Sequence, residues 1–324
     1  MGTRHMFEAD YRVVQDEDII QTTPFLLSWG DHPVGLRRSL ERIGQCTPLI
    51  LQPFQGGLRL LCGVRRRQIL REMGVTDFPA YIVPESLSDL AALELALEDN
   101  LGHRVFNEAE KVLAVKHWSR YYGDRELIRD HLPRLGLPPR REILTRYQGL
   151  ALLEAEELTD LARGVIDPET GEWLLGMNRE DHQAVCGLLR DLRPNRNKRK
   201  QMVAWLIEIG RREDRPLIGI LGGPEIRAIL QNERLSRPQK EERVRRQLRG
   251  RRYPELTRLE HMRAARLKAL ALPEQVRLQA SPDFEGLEFT LSITFSDLRE
   301  LRNGAGVAAR LADHPDMIAL MELG

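Results

Sequence analysis

The chain has 324 residues, 30% of them charged and 6% aromatic, which suits two or three domains rich in helix and argues against an all-β sandwich. No uncharged stretch reaches the roughly 20 residues needed to span a bilayer, so no membrane is expected. The net charge of +1 hides a segregation: residues 1–110 carry 11 Lys/Arg against 16 Asp/Glu, residues 111–270 carry 34 against 23, and residues 271–324 carry 4 against 9. Elements in the first hundred residues alternate between the two periods. Arg12–Val14 reads as a short strand. Gly35–Ile43 reads as a helix, with Leu36, Leu40 and Ile43 at i, i+4 and i+7 and Gly44 just past its end. Pro48–Leu51 and Leu58–Cys62 read as strands of a hairpin around a Gln55-Gly56-Gly57 turn. Val64–Met73 has helical spacing and is stopped by Gly74. Phe78–Val83 is another strand, and Leu87–Leu97 an acidic helix.

From Asn107 the period is helical almost throughout. Helices are expected over Glu108–Tyr121, Arg125–Leu132, Arg140–Leu153, Arg179–Leu192, Arg196–Gly210, Glu225–Gln231, Pro238–Leu248 and Glu255–Leu270. Asp167–Gly171 reads as a turn, and Pro216–Pro224 as a linker because five of its nine residues are Gly or Pro. After Pro273 two strands follow, Val276–Ala280 and Leu287–Phe295, with a Ser281–Gly286 turn between them and a helix N-capped by Ser296. The fold class is thus an α+β N-terminal domain, a mostly α-helical middle and a small C-terminal ββα unit. The boundaries expected are 7–106, 107–215, 216–272 and 273–324. Met1–Met6 reads as a cloning remnant, and no basic-then-apolar leader precedes the fold. Cys46, Cys62 and Cys186 form no CxxC pair, which fits a reducing cytoplasm and argues against a structural zinc.

Two constellations carry chemistry. Gly63 is followed by Arg65, Arg66 and Arg67 at the start of a helix. Cations there oppose the helix dipole unless an anion occupies the helix start, and a glycine lets backbone N–H groups approach such an anion closely. Phosphate is the natural guest; a solvated basic turn is the alternative. About 30 residues on, Asp99-Asn100 offers oxygen ligands of the kind Mg²⁺ takes, and Arg104 lies within reach of a phosphate. Here the alternative is an ordinary polar helix end.

Taken in order, these pieces resemble the N-terminal domain of the ParB family of chromosome and plasmid partition proteins. The likeness runs from about Leu36 to Glu110. It takes in Ser39 and Gly44, Pro48-Leu49-Ile50 and the hairpin strand. Gly63-Val64-Arg65-Arg66-Arg67-Gln68-Ile69 stands where the family has Gly-Glu-Arg-Arg-x-Arg-Ala. Gly74 and Phe78-Pro79 match a Gly…Ile-Pro pair. Asp99-Asn100-Leu101-Gly102-His103-Arg104 stands where the family has Glu-Asn-x-x-Arg, with Glu108 and Glu110 near the glutamate that follows. The resemblance implies CTP with Mg²⁺ as cofactor and a homodimer that closes into a clamp on DNA. It implies Gly63, Arg65 and Arg66 around a triphosphate, Arg104 assisting, and Asp99 and Asn100 on the metal. It further implies a ParA-type ATPase as partner and a nucleoid-associated place in the cytoplasm. The chain departs from the family in three ways. Val64 replaces the glutamate tied to hydrolysis, one extra residue separates Asn100 from Arg104, and Thr22–Pro33 lacks the Pro-Arg element near the base. Without that acid, at most weak CTP hydrolysis is expected.

A helix-turn-helix is read over Arg125–Leu153, with Leu135-Gly136-Leu137-Pro138 as the turn and Pro139 at the start of the second helix. That helix would turn Arg140, Arg141, Thr145 and Arg146 outward to DNA and Ile143, Leu144, Tyr147 and Leu150 inward. Pro133 falls inside the first helix, where it predicts an early end or a distortion; an ordinary helical hairpin is the alternative. Further basic clusters include Lys198-Arg199-Lys200 and the run from Arg234 to Arg252, which contains Arg245 and Arg246. Two other function classes remain open: a metal-dependent nuclease, and an adaptor or transcription regulator that binds no nucleotide.

Overall fold

In chain order the first elements are β1 (Asp10–Gln15), α1 (Val34–Ile43), β2 (Leu49–Phe54), β3 (Gly57–Cys62), α2 (Val64–Glu72), β4 (Asp77–Ile82) and α3 (Asp89–His103). The structure is a computed structural model and describes residues 9–20, 25, 27–30, 34–280 and 289–322. Met1–Met6, most of Thr22–Pro33 and the Ser281–Gly286 turn lie outside the described residues. Gln55 and Gly56 take φ of 50° and 82°, the backbone that lets a two-residue loop follow the twist of its strands. The hairpin they close pairs Phe54 with Gly57. Strand order is β1-β4-β2-β3, with β2 parallel to β4 and the other pairs antiparallel.

Alternation along these strands fills one core. Val14, Leu49, Leu51, Leu58, Leu60, Phe78 and Ala80 pack with Leu40 of α1 and Ile69 and Leu70 of α2. Burying such side chains contributes roughly 1.5–3 kcal/mol each. Helix α3 packs against β3, and a buried polar pair fixes the junction. Arg59 donates to Gln52 Oε1 at 2.7 and 2.9 Å and to Asp89 Oδ1 at 2.7 Å. Gln52 in turn donates to the carbonyls of Pro84, Glu85 and Leu87.

The helices that follow are α4 (Glu108–Trp118), α5 (Asp124–Glu126), α6 (Arg141–Leu150), α7 (Ala155–Ala162), α8 (Pro168–Leu175), α9 (Arg179–Leu192), α10 (Arg196–Glu213) and α11 (Leu217–Leu221). Three of them correct the sequence reading. Helix α7 was not expected. The Asp167–Gly171 turn is instead the start of α8, where Asp167 accepts from the Thr170 amide at 2.9 Å and Pro168 occupies the first turn. The expected linker holds α11, whose Leu217, Ile220 and Leu221 are buried. The Ile218 amide donates to Asp181 Oδ1 at 2.8 Å. Pro133 acts as its chemistry requires. A π turn over Leu127–His131 gives way to a 3₁₀ turn over Pro133–Leu135, because a proline has no N–H to continue the α ladder.

The described residues divide into two units, one of residues 1–203 with 216–221 and the other of residues 204–215 with 222–324. Within the second lie α12 (Pro224–Gln231), α13 (Arg237–Arg252), α14 (Pro254–Ala269), β5 (Val276–Ala280), β6 (Phe289–Ile293), α15 (Leu298–Leu311) and α16 (Pro315–Met321). Strands β5 and β6 pair antiparallel. Gly304 lets α15 approach β6, since a Cβ there would lie 2.4 Å from Ile293 Cγ2. The N-cap of α15 is Asp297 rather than Ser296, its carboxylate accepting from the Glu300 amide at 2.7 Å.

Candidate functional site

Strand β3 ends at Cys62 and α2 begins at Val64, and geometry demands glycine between them. Gly63 has φ 98°, and a Cβ on it would lie 2.5 Å from Leu49 Cδ2 and 3.1 Å from Arg66 Nη1. From that turn Arg65 and Arg66 face a cleft of about 140 Å³. Because α3 packs on β3, its C-terminal end supplies the opposite wall with Asp99, Asn100, His103 and Arg104. Gly63, Arg65, Arg66, Asp99, Asn100 and Arg104, drawn from two segments some 35 residues apart, therefore line one cleft. Its volume is under the roughly 300 Å³ of a drug-sized pocket and leaves room for phosphate groups rather than a whole nucleotide. Arg65 and Arg104 also border a second, wider cleft of about 580 Å³, shared with Gly30, Asn107, Ala162 and Arg193.

One carboxylate governs the electrostatics between the clefts. Glu110 is 1% exposed. Its Oε1 accepts from Arg65 Nη2 at 2.8 Å and the Trp29 amide at 3.2 Å. Its Oε2 accepts from Arg104 Nη1 at 2.5 Å and the Asn107 amide at 3.0 Å. Asn107 and Glu110 form a capping box on α4. Burial pulls the Arg65 guanidinium down, Glu110 opposes that, and Arg104 adds to it. Arg66 is also lowered by burial, with Asp99 and then Cys62 acting the other way. Arg66 donates to one carbonyl, that of Pro48, at 3.2 Å. The neighbouring Cys62 thiol is pushed far above its usual range by burial and then by Asp99, which removes its nucleophilic character. Glu110 is the residue whose part here the sequence reading missed. The spacing Asn107-x-x-Glu110 marks the cap, but nothing local marks its arginine partners.

Magnesium takes oxygen ligands, keeps several waters and is held by one or two carboxylates plus substrate phosphates. Asp99 fits that donor set. Asn100 Oδ1 accepts from Arg104 Nε at 3.1 Å and Nη2 at 3.0 Å, so it would have to release that guanidinium to reach a metal.

Among the residues expected to meet DNA, Arg140, Arg141 and Thr145 are exposed at the start and outer face of α6, while Leu144, Tyr147 and Leu150 are buried. Arg146 pairs with Glu172 at 2.7 Å and Lys200 with Glu169 at 2.7 Å, both on α8. Lys198 is half-buried. Arg199 is a correction: it is buried, pairs with Asp167 at 2.8 Å and donates to the carbonyls of Gly164 and Val165. It holds α8 and α10 together and offers nothing to a polyanion. On α13, Arg245 and Arg246 pair one turn back with Glu241 (3.8 Å) and Glu242 (2.9 Å). Arg249 makes a two-pronged pair with Glu260 at 2.7 and 2.8 Å. Arg251 and Arg252 pair with Glu213 and Glu208 of α10.

No family model matches the chain, and no curated protein matches it. Among solved structures it is similar to the C-terminally truncated chromosome-partitioning protein ParB from Caulobacter crescentus. One such structure is complexed with CTP-gamma-S, at 18% identity and a TM-score of 0.26, covering 56% of this chain and 98% of that one. Another is complexed to the centromeric parS site, at 17% identity and a TM-score of 0.30, covering 55% of this chain and 90% of that one. Overlaps this loose do not fix a common fold.

Proposed function

We propose that the chain is a ParB-like DNA-binding protein that responds to nucleotide, a dimer closing as a clamp on DNA when CTP binds with its phosphates and Mg²⁺ in the Gly63 cleft. The observation that supports this is the convergence of the glycine–arginine loop and the Asp99–Arg104 segment on one cleft, two segments that the sequence links to the family independently of any fold comparison. Gly63 would admit phosphate to the N-terminus of α2, where backbone N–H groups point outward. Arg66 would bind it first. Arg65 and Arg104 each reach Glu110 through one nitrogen, so they would join by turning their other N–H groups to the phosphate or by exchanging the carboxylate for it. Asp99 would hold the metal, which lowers the charge repulsion among phosphate oxygens. Val64 packs its isopropyl group against the sheet core and offers no group to activate water, so turnover would be slow.

The segment from α5 to α6 would act as the helix-turn-helix, with Arg140, Arg141 and Thr145 at the groove. Arg146, Lys200 and Arg246 would serve phosphates by exchanging their surface carboxylates, pairs worth little in water, and Lys198 and Arg245 would add to the same basic surface. A ParA-type ATPase and a role in DNA partition on the nucleoid follow from the same reading. Incubation with supercoiled plasmid, Mg²⁺ and CTP tests it. A mobility shift that CTP changes, with the plasmid left supercoiled, supports the clamp. Nicked or linear product would make the protein a nuclease, and no shift at all would leave the adaptor.

A further inference from the structure

Away from the cleft, α7 and α9 bring three metal-ligating side chains together. His182 and Cys186 are one turn apart on the same face of α9, and Glu157 of α7 completes the set. One ligand atom from each lies within 4.8 Å of the others. Glu157 is 7% exposed, and its Oε2 has no hydrogen-bond partner among the described residues, nor has His182 Nε2. Their closest approach, Glu157 Oε1 to His182 Nε2, is 3.6 Å, too long for a hydrogen bond. A buried carboxylate left in this state is costly.

Neighbouring charge does not relieve it. Arg190 spends Nε on Asp160 at 2.7 Å and Nη1 on Glu156. Glu157 and Asp160 are both buried, and the remaining Arg190 nitrogen, Nη2, is buried with no hydrogen-bond partner among the described residues, so it does not bond Glu157. The carboxyl of Asp160 is pushed up by burial; Arg190 pulls it back, while Glu156 and Glu157 push it further. Negative charge is in excess where a thiol, an imidazole and a carboxylate converge. Thiolate and imidazole ligands select zinc over Mg²⁺ or Ca²⁺. We propose that Glu157, His182 and Cys186 bind a zinc-class divalent ion, with water in the fourth position, and that the ion ties α7 to α9. Reaching bond lengths of about 2.0–2.3 Å needs side-chain movements on the order of an ångström. The sequence hides the site because it contains no CxxC. Its signal is His-x-x-x-Cys on a helix, with the acid 25 residues upstream.

The test is a Co²⁺ titration of the chelator-treated full chain with Cys46 and Cys62 both replaced by serine, so that any thiolate-to-cobalt charge-transfer band must arise at Cys186. The band should saturate at one equivalent and bleach on adding Zn²⁺, which should also raise the melting temperature. Glu157→Gln and His182→Gln should each weaken Zn²⁺ binding by more than about tenfold, since even outer-shell partners carry that much. If the double-serine chain does not fold, the natural chain is titrated beside Cys186→Ser. The absence of a band overturns the site, as does a band that survives Cys186→Ser or is indifferent to Glu157→Gln and His182→Gln.

Discussion

Glu110 and Arg66 differ in what they do for the fold, and the difference is measurable. Removing the Glu110 charge, as in Glu110→Gln, leaves Arg65 and Arg104 without their shared counter-charge in a half-buried site. A loss of about 3–5 kcal/mol is expected in urea unfolding, the cost of breaking a buried pair on one side. Arg66→Ala removes a single bond to the Pro48 carbonyl and should cost only about 0.5–1.5 kcal/mol. Asp167 supplies a pH signature. Burial pushes its carboxyl up, but the Thr170 amide and Arg199 outweigh this and hold it below the usual carboxylate range. Its folded-state value is therefore depressed. The stability it contributes is full above the ordinary carboxylate value and lost as pH falls through the lowered one. Asp167→Asn should accordingly be less stable at neutral pH and lose less stability on acidification, read from melting temperatures across pH 2–7. At this scale the sequence exposed the glycine at position 63 and the cations beside it. It could not tell Arg199 from Lys198 and Lys200, because burial leaves no mark on a run of consecutive basic residues.

Elements with a local signal were legible. The β2–β3 hairpin follows from Gln55-Gly56-Gly57, and α9 from its apolar stripe capped by Asn178. Helices α7 and α8 were hidden for opposite reasons. In α7, Glu157 and Asp160 are buried, so polar residues occupy the inward face and blur the period. In α8, Asp167-Pro168 looks like a turn, yet the same pair is a good N-cap and first helical residue. Helix α11 was disguised by its glycines and prolines. The α6 surface carries the prediction proper to this scale. Arg140→Ala and Arg141→Ala should each weaken DNA binding and lower the slope of log affinity against log salt by about 1. Arg199→Ala should leave that slope unchanged while destabilising the fold, a pairing that fluorescence anisotropy and urea unfolding together resolve.

Across the whole chain, the excess of 11 positive charges over residues 111–270 is smaller in effect than in count. Arg190, Arg199, Arg249, Arg251 and Arg252 all bind carboxylates within the fold. Arg140, Arg141, Arg237 and Arg243 remain at the surface, which is where a polyanion would be met. What decides the functional account is whether the Gly63 cleft takes a triphosphate. Calorimetric titration of the full chain with CTP and Mg²⁺, run beside Arg66→Ala and beside ATP, GTP and UTP, reads this directly. The account predicts saturable binding of CTP, weaker binding of the other three, and loss of binding in Arg66→Ala at an almost unchanged unfolding midpoint. Heat from no nucleotide, or CTP binding that Arg66→Ala leaves intact, would contradict it.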